Sequence, residues 1–242
     1  MESVVLSSLV AGLSTPAGAW IILSRRRVSP ATLSFTLALA SGVMVTVVAT
    51  ELVPTGLGLA GWPTFGAGAV AGALMLALLR GAVAEWQGSR AADPSRLRFV
   101  GWFIAIAIAL HDIPEGMAIG AGDAVGRSLG LVIALAIALH NIPEGMSIAA
   151  PLAMSGERRR RILGATVVIG LVTPLGTLLS LAIGQLGPEW SAIVLALASG
   201  AMVYVVAQDT LPESLAAGRA TAVAGMAAGV ALMLGLAAVH GF

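Results

Sequence analysis

Apolar residues run through this chain in long stretches, and polar or charged residues collect between them. Eight stretches, at 3–24, 31–53, 62–83, 99–122, 128–154, 161–186, 190–211 and 219–241, each approach the length of about 20 residues that a helix needs to cross a bilayer. The pattern predicts an all-α, polytopic membrane protein with eight transmembrane helices in a single transmembrane domain. The first stretch shows no cleavage pattern that separates it from its neighbours, so it reads as a span and not as a removed leader. Connections are short. The longest, 80–98, contains Gly88, Ser89 and Asp93-Pro94, and no soluble domain fits in it.

Composition agrees with the pattern. Of 242 residues, 58% are hydrophobic and only 10% charged, against roughly 25% charged in an ordinary soluble domain. The lipid bilayer is therefore the expected surrounding. Cysteine is absent, which excludes a thiolate metal site, a catalytic thiol and a disulfide framework.

All thirteen basic residues are arginine, and they sit in short clusters, which speaks against a nucleic-acid surface and for topology signals. Arg25, Arg26 and Arg27 follow span one. Arg80, Arg90, Arg96 and Arg98 flank the gap between spans three and four. Arg158, Arg159, Arg160 and Arg161 separate five from six, and Arg219 separates seven from eight; only Arg127 lies on the other side. The positive-inside rule then places both termini outside the cytoplasm, with the chain in a cell (inner) membrane.

A constant shift of 158 residues aligns three segments: Gly12-Leu-Ser-Thr-Pro-Ala-Gly18 with Gly170-Leu-Val-Thr-Pro-Leu-Gly176, Ser41–Ala49 with Ser199–Ala207, and Ala73–Leu76 with Ala231–Leu234. Spans one to three (1–83) and six to eight (161–242) thus read as two copies of one unit. Five spans separate equivalent helices, and an odd number reverses direction, so the copies are inverted. The central pair (99–154) repeats as well: Ala109-Leu-His-Asp-Ile-Pro-Glu-Gly-Met117 recurs as Ala138-Leu-His-Asn-Ile-Pro-Glu-Gly-Met146. The predicted arrangement is a 3+2+3 inverted repeat, a signature of alternating-access transporters with a site near mid-membrane.

His111 and Glu115 stand four residues apart, so they share one face of span four. His140 and Glu144 repeat the pair on span five. A lone histidine on an apolar helix is more often a packing residue than a ligand. Four ionisable groups buried in hydrocarbon on adjacent helices need a common reason. A divalent cation supplies it: two imidazoles and two carboxylates suit Zn2+, with Fe2+, Mn2+, Co2+ and Cd2+ as alternatives. Pro114 and Pro143 remove the donors to the carbonyls of Leu110 and Leu139 and should kink both helices toward the site. Gly116 and Gly145 permit close helix approach.

At these two elements the chain resembles the ZIP (Zrt-, Irt-like protein) family of divalent-metal transporters, in its bacterial GufA-like branch. The resemblance covers nearly the whole chain. It implies zinc uptake through a binuclear site, with His111, Glu115, His140 and Glu144 as the principal ligands. It also implies a soft ligand at Met44 and a neighbouring second site at Asp112 and Asn141. Members with a complete second site carry a glutamate before the proline of span six; here Thr173 stands in that place, a weaker ligand.

Other polar residues within the spans carry less specific readings. Glu51 and Asp123 are expected at the outer approach, Gln208 and Asp209 at the inner one, either lining the pathway or capping helices in interfacial water. Met44 has a symmetry mate in Met202, and a core methionine is often filler. His240 stands two residues from the end. The 30 glycines allow tight packing and a homodimer. A proton-coupled exporter would use the same ligands. An intramembrane metalloenzyme is the rival from another class, but the chain has neither H-E-x-x-H nor G-x-S-x-G.

Overall fold

A computed structural model of the chain describes residues 2–25, 27–87, 95–125, 127–183 and 188–240. Among them every regular element is helical. In chain order these are α1 (Glu2–Gly12), α2 (Ser14–Leu23), α3 (Pro30–Val47), α4 (Val53–Gln87), α5 (Ser95–Val125) and α6 (Arg127–Met154). There follow α7 (Arg159–Gly170), α8 (Val172–Ile183), α9 (Pro188–Val205), α10 (Leu211–Ala217) and α11 (Arg219–His240). Arg26, Arg90, Gly88, Ser89, Asp93 and Pro94 lie outside the described residues, as do the side chains of His140 and His240.

Among the described residues six helical stretches are long and apolar enough to cross a membrane, and one of them, Pro30–Leu78, is 49 residues long. At about 1.5 Å per residue it would reach about 70 Å, more than twice a hydrocarbon core. Gly61 breaks it, with φ 71° and ψ 173°, a left-handed φ that a side chain would disfavour. Phe65 packs against Gly56, two positions that a straight helix would hold about 13 Å apart. The expected spans at 31–53 and 62–83 thus meet at one residue, with no loop between them. Arg219–Gly235 forms a shorter apolar helix.

Three local features recur at equivalent places in the two halves. Leu13 separates α1 from α2, and Leu171 separates α7 from α8, each with ψ near zero (−5° and −11°). Pro16 and Pro174 follow, removing the donors that would carry each helix smoothly onward. Two π-helical turns, Val48–Leu52 after α3 and Val206–Thr210 after α9, hold Glu51 and Asp209. Such one-turn insertions occur often at functional sites.

The helices pack in two groups. The broken helix α1–α2, α5, α6 and the broken helix α7–α8 contact one another, while α3 packs on α11 and α4 on α9. Contacts of α3 with α6 and of α5 with α9 join the groups. Close approach depends on paired glycines. A Cβ on Gly116 would strike the carbonyl of Thr173, and one on Gly145 would strike that of Thr15; Gly18 and Gly176 meet the carbonyls of Ile142 and Ile113 in the same way. Many of the glycines that raised the prospect of a dimer thus serve packing within the chain. The core between the groups is apolar, with Phe103, Ile104, Ile108, Met44, Met202 and Leu152 essentially sealed from solvent.

Candidate metal site

The sequence places a histidine and a glutamate one turn apart on each of α5 and α6, and these helices pack side by side. His111, Glu115 and Glu144 come together: one ligand atom from each lies within 4.8 Å of the others. All three are buried, at 1%, 4% and 0% exposure. His111 Nε2 lies 3.1 Å from Glu144 Oε1, a hydrogen-bond distance that joins the two helices directly. In a tetrahedral zinc site with bonds of about 2.0–2.1 Å, neighbouring ligands stand about 3.3 Å apart. A set of this width closes onto an ion by side-chain adjustment of about 1 Å. Both helices continue through Pro114 and Pro143, each of which leaves the carbonyl four residues earlier without its helical donor.

Asp112 extends the cluster, its Oδ1 3.7 Å from His111 Nε2, and its side chain is fully buried. Asn141, the counterpart of Asp112 on α6, donates from Nδ2 to the Ala11 carbonyl at 3.1 Å. That bond anchors the amide near the break in the first helix, and among the described residues Asn141 Oδ1 has no donor. Three buried carboxylates beside one described imidazole form a strongly cation-seeking centre, because each carboxylate is costly in hydrocarbon unless compensated. The His140 side chain lies outside the described residues; its backbone belongs to α6.

Thr173 stands where the family resemblance puts a second-site glutamate in other members, and Thr15 matches it under the shift of 158 residues. Both hydroxyls are buried, and among the described residues neither has a hydrogen-bond partner. Their carbonyls, in turn, pack on Gly145 and Gly116 beside the site. The shift of 158 residues contains Thr15 within its first matching segment, so this residue was available to sequence reasoning.

The remaining candidates are dispersed. Met44 and Met202 are both 1% exposed in the apolar core between the groups. Glu51 is half-buried in the first π turn. Asp123 lines a cavity of about 360 Å³ near the start of α1, beside Ser3 and Ser7. Gln208 is exposed and Asp209 buried in the second π turn. Arg80 Nη2 lies 3.1 Å from Asp209 Oδ1, and Arg96 Nη2 donates to Glu213 Oε2 at 2.8 Å. These contacts correct the reading of the arginines as topology signals: two of them tie α4 to the second π turn and α5 to α10.

Comparison with known proteins bears on the family. The family model described as ZIP zinc transporter matches residues 82–237. A protein named zinc transporter ZupT from Chlorobium phaeovibrioides is 36% identical over 95% of this chain and 94% of its own length. The protein of that name from Corynebacterium glutamicum is 32% identical over 93% and 94%. Zinc transporter ZIPB from Bordetella bronchiseptica is 35% identical over 61% of this chain and 47% of its own.

Proposed function

The chain belongs to the ZIP family of zinc transporters, and from that premise we propose that it takes zinc up into the cytoplasm through the His111–Glu115–Glu144 cluster. It is a transporter and not an enzyme. The observation that carries the reading is the convergence of three buried ligand atoms within 4.8 Å inside apolar, membrane-length helices. His140 completes the principal site in this reading. Asp112, Asn141 and Met44 stand around it as secondary ligands, and iron, manganese, cobalt and cadmium remain substrates of the same chemistry.

Eight crossings in a 3+2+3 inverted repeat are supported by several features. The Pro30–Leu78 stretch is too long for one crossing and turns at Gly61. The helix breaks at Leu13 and Leu171, the two π turns, and the Gly116–Thr173 and Gly145–Thr15 contacts recur at equivalent positions. In this arrangement the arginine-rich end faces the cytoplasm across the inner membrane and both termini face away from it. A hydrated cation enters past Asp123 and Glu51 and exchanges water for carboxylate and imidazole. It leaves past Gln208 and Asp209 when one helix group moves against the other. Two copies of the chain forming a dimer are compatible with this route.

The test is zinc flux into proteoliposomes holding a metal-sensitive dye, comparing the wild type with His111→Ala/His140→Ala. Flux in the first and none in the second is expected. Undiminished uptake by both Glu115→Ala and Glu144→Ala would overturn the site.

A further inference from the structure

At the arginine-rich end of the helices, a second cavity of about 330 Å³ opens between the connection after α2 and the connection after α6. Its volume falls in the range of roughly 300–1,000 Å³ usual for small-ligand sites. Its lining combines basic and apolar residues, Arg25, Arg27 and Arg159 with Leu23, Val28 and Met154. We propose that this recess binds the phosphate of an anionic phospholipid headgroup, with the acyl chains leaving past the apolar residues.

Charge argues first. Among the described residues Glu157 is the one acidic side chain lining the recess, and it is already engaged. It accepts from the Arg158 backbone N–H at 3.1 Å and from Arg161 Nη1 at 3.3 Å, with Arg98 Nε 3.8 Å away. Among the described residues Arg25, Arg27 and Arg159 form no salt bridge, and Arg159 only reaches the Arg25 carbonyl, at 3.5 Å. Three arginines line one concavity whose described carboxylate, Glu157, is held by Arg161 and Arg98, and they match an oxyanion with several acceptor oxygens. Arginines that served topology alone would need no shared recess.

Position argues for a lipid over a free phosphate. The cavity lies at the end of α2, whose Trp20 and Ile21 are exposed on the outer surface of the bundle. Tryptophan at a helix end marks the headgroup level, and basic pockets between transmembrane helices recognise anionic headgroups. Such a lipid would bridge the first and fifth crossings, so that bilayer composition would bear on the helix group that holds Glu144.

The experiment titrates delipidated, full-length protein with phosphatidylglycerol or phosphatidylcholine and counts bound lipids by native mass spectrometry. The wild type is expected to retain one phosphatidylglycerol in preference to phosphatidylcholine. Arg25→Gln/Arg27→Gln/Arg159→Gln should weaken that binding on the order of a hundredfold, at about fivefold per membrane-surface arginine. Ala153→Trp, which fills the recess without altering charge, should also displace the lipid. Arg158→Gln/Arg160→Gln removes charge at the start of α7, from residues that do not line the cavity, and should change little. Absence of headgroup preference in the wild type would overturn the proposal. So would equal losses in the triple variant and the loop control, which would mean diffuse attraction. Displacement of the lipid by inorganic phosphate at matched concentration would overturn the lipid assignment in favour of a free anion.

Discussion

His111 Nε2 lies 3.1 Å from Glu144 Oε1 across the α5–α6 interface, and both side chains are sealed from solvent. The pair is the shortest bridge between the two halves of the duplicated motif among the described contacts. The histidine and the carboxylate join the two helices through this contact; a cation bound between them would replace it with two bonds of its own. Glu144→Gln keeps the side-chain size and removes the charge. Zinc affinity is expected to fall by more than about a hundredfold, since loss of even an outer-shell partner costs roughly 10–100-fold. Isothermal titration with zinc checks this, and unchanged affinity would remove Glu144 from the site.

Zinc should also stabilise the fold. A ligand that binds only the native state adds about 2.7 kcal/mol at a hundred times its Kd. The wild type should therefore melt at a higher temperature in saturating zinc than in chelator, and the difference should vanish in His111→Ala. A zinc-dependent rise that persists in His111→Ala would place the stabilising ion elsewhere.

The connection between α6 and α7 should respond to acid. Burial alone would raise the Glu157 carboxyl, but the Arg158 backbone N–H, Arg161 and Arg98 outweigh it and hold the group below its ordinary value of 4.5. The unfolded chain then takes up the proton before the native chain does. The contribution of Glu157 is full above 4.5 and is lost as pH falls through the lower native value. Both arginine partners are more than half exposed, so the effect is small, below about 1 kcal/mol. The gap in melting temperature between wild type and Glu157→Gln should be open at neutral pH and close in acid. A gap that stayed constant would contradict the assignment.

Much of this molecule was legible in the sequence because hydrocarbon makes polar residues conspicuous. His111, Glu115 and Glu144 stood out in apolar runs, and the duplicated motif tied them together. The repeat was legible because small residues at helix contacts tolerate few replacements; Gly12 and Gly170, which pack on each other, carried the alignment. The π turns were not legible, because one extra residue in a helical turn leaves no compositional mark around Glu51 or Asp209. Nor was the turn at Gly61, since one glycine among many does not announce its φ. The Arg80–Asp209 contact escaped for another reason: an arginine at a span boundary looks the same whether it faces water or reaches inward.

The close contacts on either side of the site should be equally intolerant of volume. Gly116→Ala would put a methyl group into the Thr173 carbonyl, and Gly145→Ala into that of Thr15. Backbone cannot retreat as a side-chain tip can, so each should destabilise by about 1–3 kcal/mol or more. Gly164 in α7 has open space around it, and Gly164→Ala should be neutral or stabilising by up to about 1 kcal/mol. Thermal unfolding in detergent separates the cases. If Gly116→Ala were as benign as Gly164→Ala, the helices would not approach as closely as described.

The Arg80–Asp209 pair makes the sharpest energetic prediction. Asp209 is fully buried in its side chain, and Arg80 is about one-third exposed, at 33%. Arg80→Gln leaves a buried carboxylate without its nearby cation, which in a fully buried pair costs about 3–5 kcal/mol. Partial exposure of the guanidinium lowers this toward the bottom of that range. Asp209→Asn removes the charge that needs compensation, so the double variant Arg80→Gln/Asp209→Asn should recover most of the loss. A double-mutant cycle on unfolding free energy reads the difference directly. Additive single effects would mean that the two groups do not interact, and that the second π turn is held by its hydroxyl contact, Ser41 to Thr210 at 2.7 Å. Recovery in the double variant would instead show that Arg80 offsets the buried charge of a carboxylate in the second π turn, a residue that the fold alone does not require.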